Sequence, residues 1–132
     1  MSIIFYNTLT KKKEEFIPLK EGEVKLYTCG PTVYDTAHIG NFRTFIFEDL
    51  LKRYLTLKGF NVNHVMNITD VDDKTIERSQ SADIHISELT DKYTKLFFND
   101  LDTLKIIRAN HYPKATDHIK IMIEMIEQLI NN

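Results

Sequence analysis

From Phe42 onward, apolar residues recur at helical spacing: Phe42, Phe45, Ile46, Leu50, Tyr54 and Leu57. The pattern predicts an amphipathic helix with Asn41 as its N-cap and Gly59 as its C-terminal cap. On either side the period changes. Val24-Lys25-Leu26-Tyr27 reads as a strand near 24–29, and Phe60 to Ile68 alternates loosely as a second strand. Strand, helix and strand in this order predict a βαβ crossover, with a parallel sheet and a right-handed connection. Upstream, residues 3–6 and 15–18 are short β-like runs around the polar Asn7–Glu14, predicting an N-terminal hairpin, and Glu21-Gly22-Glu23 turns the chain into the next strand. Downstream the pattern is helical. Asp72-Asp73 opens a short helix near 74–80. Ser87 with Thr90 and Asp91 starts another through Leu104, with Leu89, Tyr93, Leu96, Phe97 and Leu101 on one face. Thr116 caps a last helix striped by Ile119, Met122/Ile123, Ile126 and Leu129/Ile130.

The fold class expected is α/β: a parallel βαβ with a helical C-terminal part. Two parallel strands make a poor sheet by themselves, so the pattern reads as the first half of a Rossmann-like nucleotide-binding domain. Residues 1–132 are taken as one partial domain, with 1–22 as a β-like extension.

Composition narrows the classes of function. The 17 basic and 19 acidic residues leave a net charge of −2, so nucleic-acid affinity has no global electrostatic basis. Lys11-Lys12-Lys13 is followed directly by Glu14-Glu15 and reads as a solvated turn. The single cysteine excludes an internal disulfide and fits a reducing compartment. No apolar run reaches the ~20 residues of a membrane span, and the N-terminus lacks the features of a signal peptide. A cytoplasmic protein with no membrane partner is expected.

The candidate chemistry sits between the first strand and the long helix, in Cys29-Gly30-Pro31-Thr32-Val33-Tyr34-Asp35-Thr36-Ala37-His38-Ile39-Gly40-Asn41. A small-residue turn leading into a helix N-terminus presents backbone N–H groups to an anion, and His38 adds a donor. His38 also has a plainer reading, as a turn histidine satisfied by backbone. Cys29 taken alone reads as a small buried hydrophobe. Asp70, Asp72 and Asp73 suggest a magnesium site, but helix capping explains them more cheaply.

The same segment resembles the HIGH loop of class I aminoacyl-tRNA synthetases, and within them the cysteinyl-tRNA synthetase family. Four blocks carry the resemblance in order: Phe5-Tyr6-Asn7-Thr8-Leu9-Thr10, then Tyr27 to Asp35 followed by Ile39-Gly40-Asn41-Phe42-Arg43-Thr44, then Asn67-Ile68-Thr69-Asp70-Val71-Asp72-Asp73-Lys74, then Pro113-Lys114-Ala115-Thr116-Asp117-His118-Ile119. The resemblance implies cysteine--tRNA ligase activity in the complete enzyme. Cysteine would be activated with ATP and Mg²⁺ to cysteinyl-adenylate, then transferred to tRNA(Cys). It implies that His38 and Asn41 are catalytic and that His38, Gly40 and Asn41 bind ATP. It places Gly30, Thr32 and Thr69 at the cysteine substrate, and makes Cys29 a ligand of a Zn²⁺ that selects the substrate thiolate over a hydroxyl. Asn41 departs from the signature, whose second histidine it replaces; it keeps an N–H donor but cannot be cationic. Lys114 stands where the related block more often has arginine. The family's other zinc ligands, its second nucleotide-fold half and its anticodon-binding region have no counterpart here, and His64, His85, His111 and His118 match none of those ligands. The chain alone is therefore expected to be inactive, with a separate C-terminal half as a candidate partner. Two alternatives stay open: a cysteine ligase acting on an amino-sugar, and a non-catalytic remnant that binds a partner through exposed apolar surface.

Overall fold

Val24, Leu26 and Thr28 turn inward along β3 (Glu23–Thr28), while Lys25 and Tyr27 face outward. In the computed structural model, which describes residues 2–132, this strand pairs in parallel with β4 (Asn61–Met66), from Glu23 opposite Asn61 to Thr28 opposite Met66. The connection is α1 (Ile39–Leu57), so the predicted βαβ unit is present. A hairpin of β1 (Ile4–Asn7) and β2 (Lys12–Glu15) precedes it. The second hairpin strand lies earlier than its apolar content suggests. Lys11 alone turns, at φ +57°, while Lys12 and Lys13 pair with Asn7 and Tyr6. One lysine of the run thus belongs to the turn and two to the strand. Phe16, just after the hairpin, packs edge-on against Phe5 and Phe60 and so fixes it to the sheet.

The sheet gains a third member that periodicity does not reveal. His111 and Lys114 bridge in parallel to Val65 and Ile68 on the edge of β4 opposite β3. The Met66 N–H donates to His111 O at 3.0 Å, the Ile68 N–H to Pro113 O at 2.8 Å and the Ala115 N–H to Ile68 O at 3.1 Å. The outer edge of β3 carries no strand among the described residues.

Three helices follow β4. In α2 (Asp73–Ala82), Asp72 and Thr75 cap each other reciprocally, as the acid pair predicts. In α3 (Ile86–Thr103), Leu89, Tyr93, Phe97 and Leu101 are buried, matching the predicted face, but the N-cap is His85 rather than Ser87. A 3₁₀ turn, Thr116–His118, leads into α4 (Ile119–Ile130). Thr116 does not cap α4. Its N–H and hydroxyl instead donate to the buried Asp70 carboxylate at 3.0 and 2.6 Å, pinning the third strand to the end of β4. No residue of α4 is buried, and its apolar stripe faces solvent.

The long helix differs most from its pattern. Phe42, Phe45 and Leu55 are buried, but the same face carries Glu48 and Lys52, while Ile46, Leu50, Tyr54 and Leu57 are exposed. Phe42 and Phe45 join Phe97 in an aromatic cluster that locks α1 onto α3. Below them, charge replaces hydrocarbon. Lys52 Nζ donates to Arg108 O at 2.8 Å, and the His64 ring meets the Thr28 hydroxyl at 2.9 Å. Burial pushes the Glu48 carboxyl above its ordinary range, against the opposing pull of the Thr28 hydroxyl. Burial also pushes the His64 imidazole below its reference value of 6.5, and the nearby Lys52 charge adds to the shift.

This depression sets a pH dependence. A histidine whose folded value is lowered stabilises the fold above 6.5 and loses that contribution as pH falls through the folded value. Glu48 acts in the opposite sense, favouring the fold on the acid side. That gain is complete below its reference value of 4.5 and is lost as pH rises through the raised folded value. Between pH 7.5 and 5.5 the parent's thermal midpoint should therefore change more toward loss than that of His64→Gln, which lacks the histidine contribution. Parallel slopes for both proteins would remove His64 as the cause.

Candidate functional site: the turn between β3 and α1

Beyond Thr28 the chain cannot continue straight, because it folds over the end of β4. The Val33 N–H donates to Thr69 O at 3.1 Å and the Thr69 N–H to Pro31 O at 3.0 Å, so Thr32 and Thr69 extend the parallel pairing past the regular strands. Gly30 makes this possible. A Cβ at that position would stand 1.8 Å from the Asn67 carbonyl oxygen and 2.8 Å from Met66 Cγ. Only hydrogen fits.

Asn67 organises the turn. Its Oδ1 accepts from the Gly30 N–H at 3.0 Å and from the Tyr27 hydroxyl at 3.1 Å, and its Nδ2 donates to Thr69 Oγ1 at 3.0 Å. With its lone pair so engaged, Thr69 keeps its own hydroxyl proton to donate elsewhere. Sequence reasoning gave Asn67 no role, although an amide side chain at a strand end, two residues before a threonine, is a signal of this kind of bracing.

His38, not Asn41, is the N-cap of α1. Its Nδ1 accepts from the Gly40 N–H at 3.0 Å, so the neutral ring carries its proton on Nε2. Asn41 is the third helical residue and closes a capping box, its Oδ1 accepting from the His38 N–H at 3.1 Å. Each side chain has spent its acceptor on the helix start and keeps an N–H to donate. Gly40 matters sterically as well: a Cβ there would lie 2.8–2.9 Å from the His38 ring.

Between this helix start, the turn and α3 lies a cavity of about 300 Å³. Gly30, Thr32, His38 and Asn41 line it, together with Tyr34, Asp35, Lys74 and Tyr93. Gly40, Thr69 and Cys29 are not among the lining residues. Gly40 acts through His38, and Thr69 sits behind Thr32 and Asn67. Cys29 is exposed at the end of β3, its Sγ 3.8 Å from Gly30 O, which overturns the reading of it as a buried hydrophobe. Tyr34 and Lys74 are further residues that the spacing did not single out. No sequence pattern marks Lys74 apart from its place beside the acidic turn.

The other candidate groups are engaged elsewhere. Asp70 holds Thr116, Asp72 caps α2 and Asp73 stands in that helix's first turn, as the capping explanation expects for the latter two. Lys114 donates to Asp91 at 2.9 Å, and this bond raises the lysine and lowers the carboxylate from their ordinary values. His85 caps α3, and His118 lies 2.8 Å from Lys114 O. Among the described residues, no three histidine, cysteine or carboxylate groups gather into a metal site. Cys29 offers a soft thiolate that suits zinc, but it is one ligand of the four that zinc takes.

The family model of the tRNA synthetases class I (C) catalytic domain matches residues 15–132, and the chain belongs to that family. The parallel βαβ core is the corresponding part of a Rossmann-like domain. Its curated relatives include cysteine--tRNA ligases. That of Chlamydia trachomatis serovar D is 56% identical over 131 residues, covering 99% of this chain and 27% of the relative. Those of Brachyspira hyodysenteriae and Pyrococcus furiosus are 55% and 52% identical over 130 and 124 residues, covering 98% and 94% of this chain. The chain spans about a quarter of the length of the curated relatives it matches. Among the described residues, no helix is long and apolar enough to cross a membrane.

Proposed function

We propose that this chain is the nucleotide- and cysteine-facing part of a cysteine--tRNA ligase. The cavity at the start of α1 carries the reading: His38 and Asn41 line it with their acceptors spent and an N–H left on each. In the reaction, the cysteine carboxylate oxygen attacks the α-phosphorus of ATP, and the bond to the β-phosphate oxygen breaks, releasing pyrophosphate. Negative charge grows on the α-phosphate oxygens as this happens. Donors already fixed by a capping box need no reorganisation to meet that charge, and one such donor is worth ~3–4 kcal/mol. The Gly40 backbone keeps His38 in place for the nucleotide. Gly30 and Thr32 form the wall against which the amino acid rests, and Thr69 braces it from behind. A hydroxyl of the terminal ribose of tRNA(Cys) then attacks the carbonyl carbon of this mixed anhydride, the carbon–oxygen bond to the phosphate breaks, and AMP leaves.

Zinc, when bound, would bond the substrate thiolate and reject serine. Cys29 would give it one ligand, with the others from polypeptide beyond residue 132. Residues 1–132 form one partial catalytic domain in this reading, with 1–22 as its extension. The exposed apolar residues of α4 support a role for further polypeptide packed against it. The acceptor, tRNA or amino-sugar, is set by that further polypeptide.

Cysteine-dependent exchange of pyrophosphate into ATP tests the proposal. A polypeptide of the relatives' full length should exchange with cysteine and not with serine, and should hold one zinc that Cys29→Ala removes. The 132-residue chain should do neither alone. Exchange by the short chain would overturn its dependence on a second part, and no exchange by the long one would overturn the function.

A further inference from the structure

The wall of this cavity carries one lysine and no arginine. We propose that Lys74 is a phosphate-binding residue, which leaves the ring of Tyr34 to pair with the polyphosphate of the nucleotide. The assignment rests on the nucleotide reading above and adds a residue to it.

Charge accounting favours this lysine. Asp35, the carboxylate on the same wall, lies 3.8 Å from Arg78 and also accepts the Thr36 N–H at 2.8 Å. Its charge is offset before any ligand arrives. Lys74 forms no ion pair among the described residues; its Nζ rests 5.4 Å from the centre of the Tyr34 ring. A cation on a ring at an exposed site is held by only ~0.5–1 kcal/mol. A charge-assisted bond to phosphate is stronger. With Asp35 set against Arg78 outside the wall, the Lys74 charge is left over at this cavity, on a chain whose net charge is −2. Moving that charge from ring to phosphate is downhill.

The backbone beneath Lys74 is fixed. It is the second residue of α2, between the cap Asp72 and Thr75, which is fully buried. The Asp72 N–H donates to Thr75 Oγ1 at 2.7 Å, and the Thr75 N–H returns a bond to Asp72 Oδ1 at 2.8 Å. Only the four-carbon stem needs to swing. Asn41 carries no charge and His38 commits Nδ1 to the Gly40 N–H, so Lys74 adds an ammonium donor that the helix start lacks.

The test uses the 132-residue chain labelled with nitrogen-15, titrated with MgATP and separately with inorganic tripolyphosphate. Both should shift the Asn41 side-chain amide signal. Lys74→Met should weaken both by about tenfold or more, the loss of one charge-assisted contact. Lys74→Arg should stay within about threefold of the parent, since the charge is kept. Lys92→Met is the control: that lysine lies over Tyr93 at 5.3 Å but does not line the cavity, and its loss should change neither affinity. Thermal midpoints of the variants should match the parent, which separates binding from packing. Equal affinities for parent and Lys74→Met, with the Asn41 signal still shifting, would overturn the lysine's role and leave the nucleotide site standing. No shift of Asn41 in the parent would overturn both.

Discussion

Gly30→Ala should cost about 3 kcal/mol or more of stability, at the upper end of what overpacking does. The obstacle is the Asn67 carbonyl oxygen, 1.8 Å from the new carbon, and a backbone carbonyl cannot rotate away. To make room, the turn must leave β4. That movement breaks the Gly30 N–H bond to Asn67 and strains the pairing of Val33 and Thr69. For a domain of this size the thermal midpoint should fall by about 10 °C. Gly40→Ala makes a useful contrast. Its added carbon meets only the His38 ring, which can turn, so the loss is that of a helix cap, about 1 kcal/mol. Similar midpoints for the two variants in calorimetry would refute the distinction between backbone and side-chain obstacles.

His38→Ala should abolish most cysteine activation in the full-length polypeptide, by about 10²–10³-fold, while costing only about 1 kcal/mol of stability. The two effects have different atoms behind them. Nδ1 caps α1 through the Gly40 N–H, whereas Nε2–H faces the chemistry in the proposed function. His38→Asn separates them, because asparagine caps as well as any residue but has no group where Nε2 stood. The variant should recover its thermal midpoint and stay inactive in pyrophosphate exchange. Should it exchange at the parental rate, His38 would be a cap and nothing more.

Much of the architecture was legible locally. The order strand, helix, strand, the capping acid Asp72, the buried face of α3 and the end of α1 at Gly59 (φ +89°) all follow from spacing and turn chemistry. The family was legible too, from four short blocks, and the chain does belong to it. Which side of α1 packs inward was not legible. Its spacing favours Ile46, Leu50 and Tyr54, yet Glu48 and Lys52 are buried, because their partners come from two distant segments, Thr28 on one side and Arg108 and Asn110 on the other. A rule that sends charge outward cannot know of those partners. The third strand was hidden for a similar reason: residues 111–115 have no strand pattern of their own and are extended because β4 offers them an edge.

The sequence by itself determined the βαβ order, the glycine-bearing turn and the helix start that follows it, since each depends on neighbours within a few positions. Only the tertiary structure decided that His38 caps the helix, that Asn67 braces the turn, that Cys29 stays exposed and that Lys74 reaches the cavity. Those outcomes depend on groups that approach from residues tens of positions away, and a linear pattern carries no record of distance in space.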